Sequence, residues 1–235
     1  MTPPISIDGT DITGATIDGT DVQEITVDGD VAFSAQTIID DFEDGNLSEY
    51  TGSSQFTVTG NNPISGNQSL RVPGTISPAA AIFSNTGLAN YPVAGDKFSV
   101  LIENVGNLNT FAGIIFGNQS NNSDNYYWGI SQPPVGGAFS DMEFLKDTSN
   151  GNLGTRTRFQ GALSFGSFPY RLEVDWGTNG VIQCQVFEDS TNTLLGDESV
   201  TDTDYNSGGI GFLGLRPSGG NTAATEFLWD DFLIF

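Results

Sequence analysis

The feature that most constrains this chain is its punctuation. From residue 37 onward, short runs that alternate apolar and polar residues are separated by turn signals roughly every 8–15 residues. Phe98, Val100 and Ile102 fall on one side of such a run, and Leu172, Val174 and Trp176 fall on one side of another. A period of two is the pattern of a strand with one face buried. The intervening stretches GNQ, TSNGN, GTNG, NSGG and PSGGN are built from residues that tolerate tight or left-handed backbone. No stretch combines a sustained helical period with capping signals at both ends. The expected strands cover 37–42, 56–60, 69–74, 80–84, 97–104, 111–117, 125–131, 142–147, 156–163, 169–176, 181–189, 194–200, 208–216 and 224–235. So many strands exceed what one flat sheet carries, so two sheets must pack. The expectation is an all-β, two-sheet antiparallel β-sandwich over 36–235. A chain of 235 residues suits one such core.

Residues 1–35 read differently. Ile7-Asp8-Gly9-Thr10-Asp11 recurs as Ile17-Asp18-Gly19-Thr20-Asp21 and then as Val27-Asp28-Gly29-Asp30, a ten-residue step. Asp-Gly is a strong hairpin signal. The expectation is a short N-terminal β-arm, a meander of three such turns. It is too small to bury a core and would pair with other chains. The D-G-x-D pieces lack the closing bidentate Glu of an EF-hand loop. The stretch IDGTDVQEITVDGDVAFSA resembles N-terminal leaders of tail and spike subunits of tailed viruses. That resemblance implies docking to other virion proteins through residues 1–35.

Charge and composition exclude several function classes. Seven basic residues face 29 acidic ones, for a net charge of −22. Nucleic-acid binding needs a basic footprint and is not expected. Such self-repulsion destabilises a compact state unless salt screens it; at about 1 M the screening length is about 3 Å. The acidic, lysine-poor composition resembles that of proteins from halophilic archaea and their viruses. With no histidine, imidazole catalysis and histidine-ligated metals are excluded. The single Cys184 forms no internal disulfide, and its alternating run VIQCQVF places it in the core. The opening MTPPISIDGTD has neither a basic n-region nor an apolar h-region, so no secretory signal is expected from it. No apolar run is long enough for a membrane helix, so no membrane insertion is expected.

The order of six pieces across residues 41–235 resembles the concanavalin A-like (laminin G-like) jelly roll and the β-sandwich carbohydrate-binding modules. The pieces are DDFEDGNLSEY, SGNQSLRV, FAGIIFG with DNYYWGI, YRLEVDWGTNGVIQCQVFED, GGIGFLGL and LWDDFLIF. The resemblance implies that the first and last strands pair, bringing Asp41, Glu43 and Asp44 to Asp230 and Asp231. It also implies a structural calcium there, held by Glu43, the Gly66–Asn67 region and Asp230 or Asp231. Calcium takes six to eight oxygens, and clustered carboxylates favour such an ion.

Catalysis is not expected. Glycosidases of this fold carry a carboxylate triplet on one strand, and neither Glu143 with Asp147 nor Glu173 with Asp175 forms it. Both pairs read as solvated alternation. Binding is the expected activity, because sugars take an aromatic face plus amide and carboxylate partners. The candidates are Asp124, Asn125, Tyr126 and Trp128 from NQSNNSDNYYWG, then Phe139 and Asp141, then Arg156 and Arg158, which would hold an anionic sugar in bidentate fashion. The function expected is a tail fibre, spike or turret subunit of a haloarchaeal virus. It would be a homo-oligomer in the virion that binds a host-surface glycan or S-layer glycoprotein. The alternatives are a secreted or surface lectin-like module of a haloarchaeon and a decoration protein with no ligand.

Overall fold

The alternating runs become strands, and the turn signals become their connections. A computed structural model describes residues 36–72, 79–105, 110–119, 124–132, 140–147, 153–163, 169–215 and 226–235, plus six short strands within residues 6–34. One compact unit spans Met1–Thr37 and the other Ile38–Ile234.

In the first unit β1 (Ser6–Ile7) pairs with β2 (Thr10–Asp11), β3 (Thr16–Ile17) with β4 (Thr20–Asp21), and β5 (Glu24–Val27) with β6 (Asp30–Ser34). The innermost pairs are Ile7 with Thr10, Ile17 with Thr20, and Val27 with Asp30. Each therefore encloses one Asp-Gly dipeptide, as the turn chemistry demands. Among the described residues these strands form three separate two-stranded ladders, each strand pairing with the one its own turn returns.

The second unit contains β7 (Thr37–Asp40) from Ile38 onward, β8 (Thr51–Gly52), β9 (Thr57–Thr59), β10 (Ser69–Val72), β11 (Ala79–Ser84), β12 (Lys97–Val105), β13 (Thr110–Asn118) and β14 (Asn125–Gln132). It continues with β15 (Ser140–Asp147), β16 (Leu153–Leu163), β17 (Tyr170–Trp176), β18 (Val181–Glu188), β19 (Thr193–Thr201), β20 (Gly209–Leu215) and β21 (Glu226–Ile234). One sheet has the order β19-β18-β17-β12-β21-β10-β9, with β7 added on β21; the other runs β16-β15-β14-β13-β20-β11-β8. The architecture is a two-sheet antiparallel sandwich whose first and last strands pair, as expected.

The core lies between the sheets. Leu70, Phe98, Val100, Leu172, Val174, Trp176 and Trp229 enter from one sheet; Ile114, Phe116, Tyr126, Trp128, Phe144 and Phe212 enter from the other. Their neighbours in sequence point away, as a period of two requires. Aromatic pairs bridge the layers: Phe116 meets Trp176 with ring centroids 5.1 Å apart, and Phe212 meets Trp229 at 5.9 Å. Such pairs contribute about 0.5–1.5 kcal/mol each beyond area burial. Cys184 is buried among them.

Strict alternation fails where two aspartates precede a phenylalanine. Ile39-Asp40-Asp41-Phe42 and Trp229-Asp230-Asp231-Phe232 each put both outer residues in the core. Two intervening residues would leave the apolar pair on opposite faces of a regular strand. Each segment solves this with one left-handed residue, Phe42 at φ 57° and Asp231 at φ 45°. On β21 the solution is a bulge: Ser99 pairs with Leu233, but Leu101 pairs with Asp230, so β21 holds one extra residue. The same break explains why β7 ends at Asp40 and not at the expected residue 42.

Candidate functional site

The chain-end acids converge on one loop. Glu43 Oε1 accepts the backbone N–H groups of Asn67 (2.6 Å) and Gln68 (3.0 Å), and Oε2 accepts the Asn67 side-chain amide (3.0 Å). From β21, Asp230 Oδ2 accepts Ser65 N–H (3.0 Å) and Ser69 Oγ–H (2.7 Å), while Oδ1 accepts Asp231 N–H (3.0 Å). The 65–69 loop is thus tied to both ends of the sandwich domain. The Asn67 and Gln68 donors hold the Glu43 carboxyl below the usual range. Burial pushes Asp230 up to about 6, against the donors that favour its charge. Burial also raises Asp231, and the nearby Asp41 and Glu43 charges add to this. Asp41 accepts Glu43 N–H (3.2 Å), and the exposed Asp44 accepts Asn46 N–H (3.0 Å) within its own turn. The donor set is all oxygen, which suits calcium, and the like-charge repulsion on Asp231 is what a cation relieves. Among the described residues, however, no group of three or more carboxylates is gathered at ion-binding distance.

Three of the expected ligand residues are closed off from solvent. Tyr126 and Trp128 are fully buried and Asn125 nearly so. Ligand contact is corrected to packing for the two rings, because inward positions of β14 face the other sheet. Asp124 is half-buried, and its carbonyl accepts Gln119 N–H (2.9 Å). Phe139 lies outside the described residues, as do the side chains of Asp141, Arg156 and Arg158. Their backbones fall on β15 and β16, where Arg158 pairs with Glu143 and Arg156 with Leu145. Glu173 is not solvated as expected. It is buried, with Arg171 Nε at 2.7 Å and Lys97 Nζ at 3.0 Å.

A cleft of about 380 Å³ opens at one end of the sandwich. It forms where Asn85 follows β11, where Gln119 follows Asn118 at the end of β13, and where Ser207 and Gly208 lead into Gly209 at the start of β20. Tyr91 and the exposed Val93 complete it. A bulge on β13 shapes the floor: Ile115 pairs with Gly211 but Asn118 with Gly209, and the extra residue falls at Gly117, φ 65°. Bulges of this kind re-aim side chains. The re-aimed Asn118 is buried and donates from Nδ2 to Asn85 Oδ1 (3.0 Å). A Cβ at position 209 would lie 1.9 Å from that same Asn85 oxygen, so only glycine admits the amide pair. Gln119 Nε2 spans to the carbonyls of Gly117 (2.8 Å) and Ser207 (2.5 Å), and Tyr91 Oη sits 2.8 Å from Ser84 Oγ. Among the described lining residues there is no carboxylate, lysine or arginine. Amides and hydroxyls both donate and accept, so the cleft can match the hydroxyls of an uncharged polar ligand. The sequence reading missed this cleft; the NSGG turn and the FGNQ stretch were its only traces.

No protein-family profile and no curated protein matches this chain. Solved structures do match in shape. The legume lectin-like domain from Entamoeba histolytica superposes with TM-score 0.56 at 9% identity, over 80% of this chain and 89% of that one. The VIP36 exoplasmic/lumenal domain, in a Ca²⁺- and Man3GlcNAc-bound form, gives 0.54 at 11% identity, over 79% and 83%. The Bacillus licheniformis β-glucanase gives 0.50 at 11% identity, over 82% and 94%. The fold is therefore shared by lectin-like domains and by at least one enzyme, and this chain has the legume-lectin-like, concanavalin A-like sandwich.

Proposed function

We propose that this chain is a glycan-binding module whose loop-end cleft holds an uncharged sugar ring. One observation carries the reading: a cleft of about 380 Å³ lined by neutral donors and acceptors, with Tyr91 and Val93 as apolar surface. Sugar recognition requires that combination of hydrogen-bonding edges and a C–H-facing surface. The VIP36 domain, solved with a mannose-containing glycan, is consistent with it. The module serves as a tail fibre, spike or turret subunit of a haloarchaeal virus, recognising a host-surface glycan or S-layer glycoprotein. Residues 1–35 dock it to other virion proteins, and oligomerisation multiplies a weak single-site affinity. The −22 charge and the DG-repeat leader support that setting. A cell-surface lectin-like module uses the same cleft equally well; the ten-residue repeat favours the virion. Calcium, when bound by Glu43, the Gly66–Asn67 region and Asp230 or Asp231, neutralises the acids at the chain ends. VIP36 domains solved with Ca²⁺ support this.

The test is titration of the purified chain, in molar salt, against a panel of neutral and sialylated oligosaccharides. At least one neutral glycan binds. Asn85→Ala and Gln119→Ala each weaken it about 10-fold or more, as loss of one or two hydrogen bonds requires. Binding untouched by both substitutions, or confined to the sialylated glycans, refutes the cleft.

A further inference from the structure

Ser207, Gly208 and Gly209 line the cleft at the end of the segment 202–209, and the anchors of that segment lie outside the cleft. At its root, Tyr126 Oη donates to Asp202 Oδ1 (2.6 Å) and accepts Tyr205 N–H (3.1 Å). The two rings are 4.9 Å apart. Lys146 Nζ reaches Asp202 Oδ2 at 2.7 Å, also contacts Asp204 Oδ2, and stands 5.8 Å from the Tyr205 ring centre. Asp202 N–H donates to Gly180 O (2.8 Å), and Asn206 O accepts Ala94 N–H (2.8 Å). Within the cleft, Ser207 O accepts from Gln119 Nε2, and Gly209 packs against the Asn85 amide. The two carboxylates at its root repel one another unless a cation sits between them. That cation is one of two lysines in the chain, and its side chain is only 12% exposed.

We infer that Lys146 and Tyr126 are positioning residues for the sugar cleft: they clamp Asp202, Asp204 and Tyr205 and so fix the wall formed by Ser207, Gly208 and Gly209. This inference rests on the cleft reading for its effect on affinity, but not for the clamp itself. The Tyr126 hydroxyl explains why a fully buried ring at an inward position is a tyrosine. It is the handle by which the core holds a surface loop. Lys146 is a point charge with three donors, which lets it serve two carboxylates at once. Tyr126–Asp202 is sheltered from salt more than the exposed Asp204 contact, so the clamp persists in brine.

The test uses the full chain in molar salt and two readouts. Hydrogen exchange of residues 202–209 is followed in wild type, Lys146→Met, Lys146→Arg and Tyr126→Phe. The clamp predicts at least 10-fold faster exchange in this loop for Lys146→Met and Tyr126→Phe, with β12 and β17 unchanged and substantial rescue by Lys146→Arg. Loop exchange that stays at the wild-type rate in Lys146→Met overturns it. The second readout is affinity for free mannose, glucose, galactose and N-acetylglucosamine. Weakening that parallels the loop exchange supports the positioning role, and affinity that stays constant while the loop loosens overturns it. If wild type binds none of these sugars or the oligosaccharides, the glycan reading fails, and the exchange data alone decide the clamp.

Discussion

Gly66 shows how much a single residue carries. It sits at φ +52°, and a Cβ there would come within 2.1 Å of Glu43 Oε1. Glycine is required twice, for the left-handed backbone and for the approach of a carboxylate. Gly66→Ala should cost about 1–2 kcal/mol from the backbone alone, and more if Glu43 is displaced. Thermal unfolding checks this, and a melting temperature within a degree of wild type would contradict it. The position was legible in sequence only through its family-like motif, SGNQSL. The meeting of Glu43 with that loop was implied by the family resemblance. What sequence could not supply is the partner of each oxygen, because a carboxylate has the same letter whether it holds an ion or three protein donors. Tyr126 and Trp128 failed as ligand candidates for a related reason. On an alternating strand, pattern alone does not say which face is core.

At the scale of elements, periodicity located most of the strands. It failed at bulges, where Asp231 and Gly117 each insert one residue into a ladder. An extra residue is invisible to a period-two reading unless a repeated pattern such as Asp-Asp-Phe exposes it. It also failed on the outward face of β17. There Arg171 donates to Glu173 (2.7 Å), Asp189 (2.6 Å) and Asn192 (2.6 Å), and its guanidinium lies 4.7 Å from the Phe187 ring centre. Alternation predicted solvated charge, and the fold made a buried network. Burial works against the Glu173 charge, but Arg171 and Lys97 outweigh it, so its pKa falls below the usual 4.5. A carboxyl lowered in the folded state stabilises above that usual value, and the contribution is lost as pH falls through the folded pKa. Glu173→Gln should therefore cost about 1–3 kcal/mol near pH 7, because it removes one of the two carboxylates that pair with a buried guanidinium and leaves Asp189 as the other. The gap from wild type should narrow as pH drops from 6 to 3. Unfolding followed across that range measures it, and a gap independent of pH would show that the ion pair is not the source.

For the whole molecule, the sandwich was legible because its physics is local: alternation, turns and a length suited to one core. The cleft was not, because it exists only where the ends of β11, β13 and the loop before β20 meet. The acid excess separates into two parts on the same grounds. Most of the 29 acids lie away from the chain-end cluster. Glu43, Asp230 and Asp231 instead tie the chain ends to the 65–69 loop. If calcium joins them, a chelator at constant high salt lowers the melting temperature by several degrees and Ca²⁺ restores it. An unchanged melting temperature would mean that protein donors alone hold the staple.

The most direct test of the central claim is binding of neutral oligosaccharides in molar salt by wild type beside Asn85→Ala. The account predicts saturable binding that the substitution weakens about 10-fold or more in a protein that still unfolds cooperatively, its melting temperature lowered only by loss of the Asn118 partner. A glycan bound equally well by both proteins would place recognition outside the cleft and contradict it.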